Sequence, residues 1–557
     1  MKRNLSFLIT LIFISFINAQ QEPFHLVDAR IYGTASGEDR IDKVVKDGAN
    51  NVYTLSLILT IEKAIEWGVD HHGGFDQMLT KFDSNKNILW QKSYGGDNSE
   101  LLGDIYLLPD GNVLLFFQSY SGPSGNRTAP YNGYNGDTDV WIVKVDGEDG
   151  SILQQRSIVA DKTQFHIDCK ISESGEIVIL GVTFDSGSNE FDINEPPIDV
   201  DNENHTGDAW IAILDDNLNM VQQKRLVAGF AASGGQAHAQ LGSLILEEDY
   251  IYVAVTSTGI AGGYKSEDAF TNSNGDVSQD GWILKLDWDF NKIWDRTIGG
   301  SGSDRVVDMV KTKDDDLILL FSSNSTTSGN RLSPRIGNSY HTWLVKMDED
   351  GGVITEKSYG NAYEMYVETR LGRLGDERFV FGGYVTPDNS FDFYNVSFFG
   401  GLYDSYLMVF DDDLEMVALE AFGTPGDDIL HSLHVSDGVI TTGGQIKYDG
   451  TNQYHPTLTG SVGVYNMWLL EFSSTLSLNE EAMFEFSVYP NPARKILNVK
   501  DEKQVVNHLE VYDLLGKKLY AQESKSTDVH LINVESMETG IYLLTMKLKD
   551  GSEVTKK

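Results

Sequence analysis

The 557-residue chain has one cysteine, Cys169, so it can form no disulfide within itself and can build neither a thiolate zinc site nor an iron–sulfur cluster. It is also short of positive charge: 43 Lys and Arg stand against 83 Asp and Glu, a net charge of −40. A body this acidic repels nucleic acid and anionic lipid, which leaves divalent cations and neutral ligands open. Long apolar runs are missing as well. The one apolar stretch, Leu5 to Ile17, follows Lys2 and Arg3 and is trailed by Ala19. This is the pattern of a secretory signal over residues 1–19, cut near Ala19/Gln20 and too short for a comfortable membrane span. No cysteine lies nearby to carry a lipid anchor, so the expectation is an exported chain with no membrane span. Gly-x-Ser-x-Gly, His-Glu-x-x-His and phosphate-cradling glycine loops are absent too, and nothing in the sequence is a positive sign of catalysis. Asp and Glu are too numerous for a glycosidase pair to be singled out.

What the chain does have is 41% apolar residues, 54 glycines and many aromatics in short Val/Ile/Leu runs, which favours strands and turns over long helices. Charge is uneven. Residues 482–557 hold 11 acidic and 11 basic side chains, so the deficit lies upstream and a linker is expected at 474–481. Upstream, one pattern recurs: an Asp two residues before an aromatic or apolar residue, a short apolar strand, then Asp. It reads "TDVWIVKVD" (138–146), "GDAWIAILD" (207–215), "QDGWILKLD" (279–287), and in four more versions at 61 to 72 residue spacing. Each unit reads as four antiparallel strands, and such a sheet cannot bury both faces alone. Seven third strands are present. The seventh fourth strand is found at the other end, where "LVDARIYG" (26–33) matches "ILWQKSYG" (88–95). The expected fold is therefore all-β: a seven-bladed β-propeller over residues 24–473, closed by the N-terminal strand. The repeat resembles propeller repeats of secreted Gram-negative bacterial proteins that read Asp-x-Trp-(Ile/Leu)-x-Lys-(Leu/Val)-Asp. That resemblance implies fold and leaves function open.

In every unit the connection between second and third strands is long, and equivalent loops of a propeller emerge on one face. Tyr131, Tyr134, Tyr264, Tyr340, Tyr394, Tyr403, Tyr448, Tyr454 and Tyr465 lie in these loops among Asp, Asn and Gly. Aromatic faces beside carboxylates and amides suit a glycan or a protein partner. The Asp preceding each third strand (Asp76, Asp139, Asp208, Asp280, Asp404, with His341 and Asn466 in the other two units) is expected to fix the loop's last turn. "DSNKN" at 83–87 and "DEDGG" at 348–352 read as turns. The calcium candidate is Asp199, Asp201, Asn202, Asn204 and Asp208, in an acidic loop without the glycine of an EF-hand. His71 and His72 alternate on an extended chain and cannot easily share a ligand.

Residues 482–557 read as a small Ig-like β-sandwich with turns at Gly516 and Asp550-Gly551. Tyr489-Pro490-Asn491-Pro492, "VYDLLGKKL" (511–519) and "TGIYLL" (539–544, with Gly540 and Tyr542) resemble the type IX secretion system C-terminal sorting domain. The resemblance implies a translocon as partner, and a protein that is secreted or attached to the outer-membrane surface of a Gram-negative bacterium. One departure is that no further short apolar strand follows Lys556-Lys557. The leading expectation is a secreted propeller that binds a glycan or protein by its long-loop face, with calcium as the one cofactor in view. An extracellular polysaccharide-active hydrolase and a structural or adhesion component are the alternatives.

Overall fold

A computed structural model describes residues 24–556 apart from 35–36, 132–135, 160–161, 185–206, 230–241, 376, 448–464, 475–486, 490–494, 502–505, 514–516, 525–528, 536, 538–541 and 550–552. The signal-peptide expectation for residues 1–19 lies outside these. The chain divides into two compact units, Met1–Thr475 and Leu476–Lys557.

The first unit consists of successive antiparallel sheets built to one plan. In the first sheet, Lys43–Lys46, Val52–Ile58, Asp76–Phe82 and Ile88–Tyr94 pair in sequence order. Five more sheets follow, spanning 100–158, 164–226, 242–298, 304–359 and 365–422, the last of these with an extra short strand, Gly372–Arg373. The seventh is assembled from both ends of the unit. Asp428–Ser436, Val439–Ile446 and Asn466–Ser474 are joined by Phe24–Tyr32, which pairs Ile31 with Trp468 and Phe24 with Ser474.

Third strands such as Asp139–Val145 are buried along their whole length, which is why they read as continuous apolar runs without alternation. Their third residue is commonly tryptophan, and Trp141, Trp210, Trp282 and Trp343 are all buried. In three of them the indole N–H is satisfied within the sheet: Trp141 donates to Gln155 at 3.1 Å, Trp282 to Asp295 at 2.9 Å and Trp343 to Glu356 at 3.1 Å. Each apolar core is shared between neighbours. The first and second sheets share Leu55, Leu115 and Trp141, the third and fourth share Ile211 and Trp282, and the first and seventh share Ile41, Met78 and Leu469. First strands adjoin one another: 43–46 lies beside 100–107 and 428–436, and 242–246 beside 164–171 and 304–311.

The turns between third and fourth strands follow Asx chemistry. Asp83 accepts the N–H groups of Asn85 and Asn87 at 2.9 and 2.8 Å, and Asp348 accepts those of Asp350 and Gly352 at 3.0 and 2.7 Å.

In the second unit one sheet pairs Ser487–Tyr489, Ile496–Lys500 and Val529–Asn533. The other orders Lys518–Glu523, Val506–Asp513, Tyr542–Leu548 and Glu553–Lys556. Val499, Val506, Leu509, Val511, Ile532, Leu544 and Met546 form its core.

Candidate ligand-binding face and sorting domain

The seven long connections run from 58 to 76, 119 to 139, 183 to 208, 257 to 280, 323 to 341, 385 to 404 and 446 to 466. The first carries a short helix, Ile61–Trp67, capped by Thr60 and ended by Gly68 at φ 71°. Two loops are stitched to the preceding sheet by a shared device. Asn126 donates to Ser93 O at 2.7 Å and accepts from Gly95 N at 3.0 Å; Asn330 repeats this with Thr297 O at 2.6 Å and Gly299 N at 2.9 Å. The next residue is a buried arginine lying over the third-strand tryptophan, Arg127 over Trp141 at 5.6 Å and Arg331 over Trp343 at 4.8 Å. Lys265 does the same over Trp282 at 5.3 Å. Asn330→Ala removes both stitches and leaves their partners facing a gap. A loss of about 2 kcal/mol in unfolding free energy is expected, read by chemical denaturation.

The tyrosines of the sequence analysis divide. Tyr131 lies beside Arg127 and donates to Asp137 O at 2.9 Å, while Tyr264 packs into the core shared by the third and fourth sheets and donates to Phe290 O at 3.3 Å. Arg305 lies over Tyr340 and Lys447 over Tyr465, at 5.3 and 5.8 Å. These four are half-buried and held by the fold. Tyr403 belongs to a cluster with Tyr366 and Tyr384: the last two stack at 4.6 Å, and Tyr403 stands edge-on to Tyr384 at 5.0 Å. In the sixth long connection and the segment before the sixth sheet, Tyr363, Phe391 and Tyr394 are 59%, 56% and 67% exposed. The loop holding the last two is tied to the segment before the sixth sheet, where Asn361 donates to Thr386 O and Ser390 accepts from Ala362 N, both at 2.8 Å. Tyr134, Tyr448 and Tyr454 lie outside the described residues.

The Asp series is occupied in fixing loops. Asp76 accepts from His72 N at 2.7 Å, Asp280 from Phe270 N at 2.6 Å and Asp404 from Phe399 N at 3.0 Å. His341 faces Arg331 at 2.6 Å. Of the calcium candidates, Asp208 is buried against Arg225 at 2.8 Å, while Asp199, Asp201, Asn202 and Asn204 lie outside the described residues. Among the described residues no group of three or more His, Cys, Asp or Glu is placed to hold a metal ion.

One cluster was not singled out from the sequence. Asp104, Asp168 and Asp308 sit at matching positions of three first strands, each beside a register shift. Arg370, from the sixth sheet, reaches three others: it donates to Ile167 O at 2.8 Å and Gly242 O at 3.3 Å, and pairs with Asp168 at 3.3 Å and Asp308 at 3.5 Å. Beside it the Tyr106 hydroxyl donates to Asp104 at 3.0 Å, accepts from Cys169 N at 3.1 Å and lies 3.4 Å from His166 Nε2. Burial pushes His166 down to about 4, so its imidazole is neutral at physiological pH. The recurring first-strand Asp was the available signal. Arg370 has no counterpart in the repeat.

Residues 487–557 match the model of the secretion system C-terminal sorting domain. The tail of this chain is a type IX sorting domain. It marks the protein for secretion or attachment at the surface of a Gram-negative bacterium. Within the sorting domain Tyr542 opens a strand and packs on the core, while Pro490, Asn491, Pro492, Gly516 and Gly540 lie outside the described residues. No helix among the described residues is long and apolar enough to cross a membrane. A curated relative, ulvan lyase NLR42 of Nonlabens ulvanivorans, is 25% identical over 108 residues, 19% of this chain and 20% of the relative. The chain thus matches about a fifth of that protein's length. Among solved structures, the chain is similar to polysaccharide lyase Uly1 at 9% identity and TM-score 0.43, covering 83% of this chain and 94% of that one. It is also similar to a protein of unknown function from Dyadobacter fermentans at 9% identity and TM-score 0.39, covering 81% and 99%.

Proposed function

We propose that the exported protein is a closed seven-bladed β-propeller over residues 24–473 that binds an extracellular ligand through its long-loop face. On this reading residues 1–19 are removed as a signal and 474–481 link the propeller to the sorting domain. Closure is supported by the pairing of Phe24–Tyr32 with the last strand and by the core that the first and seventh sheets share. The observation carrying the binding reading is the exposure of Tyr363, Phe391 and Tyr394 on one long loop and the segment it is tied to. Exposed aromatic faces next to amides and carboxylates are the chemistry that stacks on sugar rings. A polysaccharide is the favoured ligand class, in keeping with the ulvan lyase that part of the chain resembles.

Affinity electrophoresis of the full chain in gels containing neutral or acidic polysaccharides tests this. Retardation by at least one polysaccharide is expected, weakened about tenfold in the Phe391→Ala/Tyr394→Ala double variant, as the loss of two aromatic contacts predicts. Migration indifferent to every polysaccharide would count against a glycan ligand.

A second reading, cleavage of that polysaccharide, draws on the phenol–imidazole contact of Tyr106 and His166 beside the Arg370 guanidinium, which would act as an acid–base pair next to a cation. Shortening of the chains in the same samples, lost in Tyr106→Phe, would replace the binding-only view.

A further inference from the structure

At several junctions between successive sheets, the residue at the head of the next sheet is hydrogen-bonded back to the residue preceding the one that opens a third strand. Glu100 N donates to Phe75 O at 2.7 Å, Gln164 N to Thr138 O at 2.8 Å, Asp304 N to Gln279 O at 2.6 Å and Asp428 N to Tyr403 O at 2.9 Å. Asp39 N makes the same bond to Tyr465 O at 3.3 Å. This recurring bond sets two side chains together at each junction, one heading the third strand and one heading the next first strand.

At three junctions both are acids, namely Asp76 with Glu100, Asp280 with Asp304, and Asp404 with Asp428, and all six are buried. At two others one member is an amide: the pairs are Asp139 with Gln164, and Asn466 with Asp39.

The sixth-to-seventh junction is the clearest. Asp404 Oδ1 and Asp428 Oδ2 lie 3.0 and 2.5 Å from the same point, the place a side-chain carbon on Gly423 would take, so only glycine fits there. Asp404 Oδ2 accepts from Phe399 N at 3.0 Å, and Asp428 accepts from Thr424 N at 2.6 Å and from the Thr424 hydroxyl at 3.1 Å. Among the described residues no hydrogen-bond donor reaches Asp404 Oδ1, which is buried. Asp76 Oδ1 is in the same condition, 1.9 Å from the equivalent point on Gly95, with Glu100 Oε2 at 2.9 Å from it.

Two buried carboxylates this close cannot both be ionised without a partner between them. At two other junctions an uncharged amide stands in place of one acid, so the repulsion does not arise there. We infer that at the acid–acid junctions a shared proton relieves the repulsion, held between Asp404 Oδ1 and Asp428 Oδ2 and likewise between Asp76 and Glu100. The surroundings favour a proton over a cation. The oxygens that have partners face N–H and O–H donors, and Arg127 near Glu100, Lys265 near Asp280 and Arg331 near Asp304 add positive charge at the other two acid pairs. Among the described residues the further charged group near Asp404 and Asp428 is Asp427, which accepts from Leu402 N at 2.6 Å and lies 3.7 Å from Lys447.

The junctions are then latches that open with rising pH. Burial raises Asp404 to about 6 and Asp428 to about 8. With folded values raised above those of the free acid, the stabilisation is complete below about pH 4 and is lost as pH climbs through about 6 to 8.

The test is thermal unfolding of the full chain against pH, followed by tryptophan fluorescence, since all nine tryptophans precede residue 475. Wild type should lose melting temperature on the alkaline side. Asp404→Asn should hold its melting temperature there and overtake wild type. Asp428→Asn, which puts an amide at the position Gln164 holds in the second-to-third junction, should flatten the profile in the same way. Wild type with no alkaline loss, or both variants keeping the full slope, would overturn the inference. So would a melting temperature raised by calcium chloride in wild type and unchanged by it in Asp404→Asn, which would mark a bound cation instead.

Discussion

Replacing Arg370 by alanine is expected to cost the first unit about 3–5 kcal/mol, the range for removing one partner of a buried ion pair. The effect comes from what is left behind. Asp168 is fully buried, and although burial alone would raise its carboxyl, Arg370 and Lys170 hold it below the ordinary carboxylate range. Its Oδ2 also accepts from Leu244 N at 2.8 Å, and Asp308 accepts from Leu371 N at 2.7 Å, so each carboxylate joins two sheets. Without the guanidinium both anions stay in place, fixed by those bonds, in a site that water reaches poorly. The carbonyls of Ile167 and Gly242 lose their donor as well. Arg370→Lys should recover only part of the loss, because a single ammonium cannot span four acceptors on three sheets. Adding Asp168→Asn to Arg370→Ala should restore stability by removing the uncompensated charge. Denaturant midpoints followed by tryptophan fluorescence decide the matter. A fall below about 1 kcal/mol for Arg370→Ala would mean that the pair is solvated and incidental.

That residue also marks where sequence reading stops. Repetition made the strands legible: the Asp two places before a tryptophan and the Asx turn recur, and each recurrence reinforces the others. The long second-to-third connections could be measured from the same frame. Within them, "SGNR" at 124–127 and 328–331 could have disclosed the stitching asparagine and the arginine over the tryptophan, since equal sequence in equal loops implies equal contacts. The acid pairs were hidden differently. Glu100, Asp304 and Asp428 directly follow glycine-bearing linkers that read as turns, and their partners lie some 24 residues back, brought close by the bond between first and third strands. Arg370 was beyond reach. The first strand of the sixth sheet is cut to Met365–Val367, the repeat breaks there, and the residue's partners lie up to 203 positions away. Exposure of Tyr363 and Phe391, likewise, follows from how one loop packs on one linker, and no period predicts it.

Deleting residues 21–34 should abolish cooperative unfolding of the first unit. Phe24–Tyr32 supplies the outer strand of the seventh sheet through eight paired positions, and at about 1 kcal/mol for each hydrogen bond its loss approaches the whole stability of an ordinary domain. The damage would spread inward. Phe24 packs edge-on against Phe472 at 6.4 Å, and Tyr32 packs on Phe82 of the first sheet at 5.0 Å while its hydroxyl donates to Lys86 O at 2.8 Å. The strand therefore binds the seventh sheet to the first as well as completing the seventh. Its removal would bare the edge of Asn466–Ser474, an unpaired apolar strand that invites association with a second chain. The truncated protein is expected to melt broadly, at lower temperature, and to self-associate. A peptide of residues 21–34 added in excess should restore the sharp transition, because the missing edge is a preformed groove for that strand. A truncated protein that melts as sharply and as high as the full chain would refute the closed ring and leave an open stack of sheets, each stable through its own neighbours.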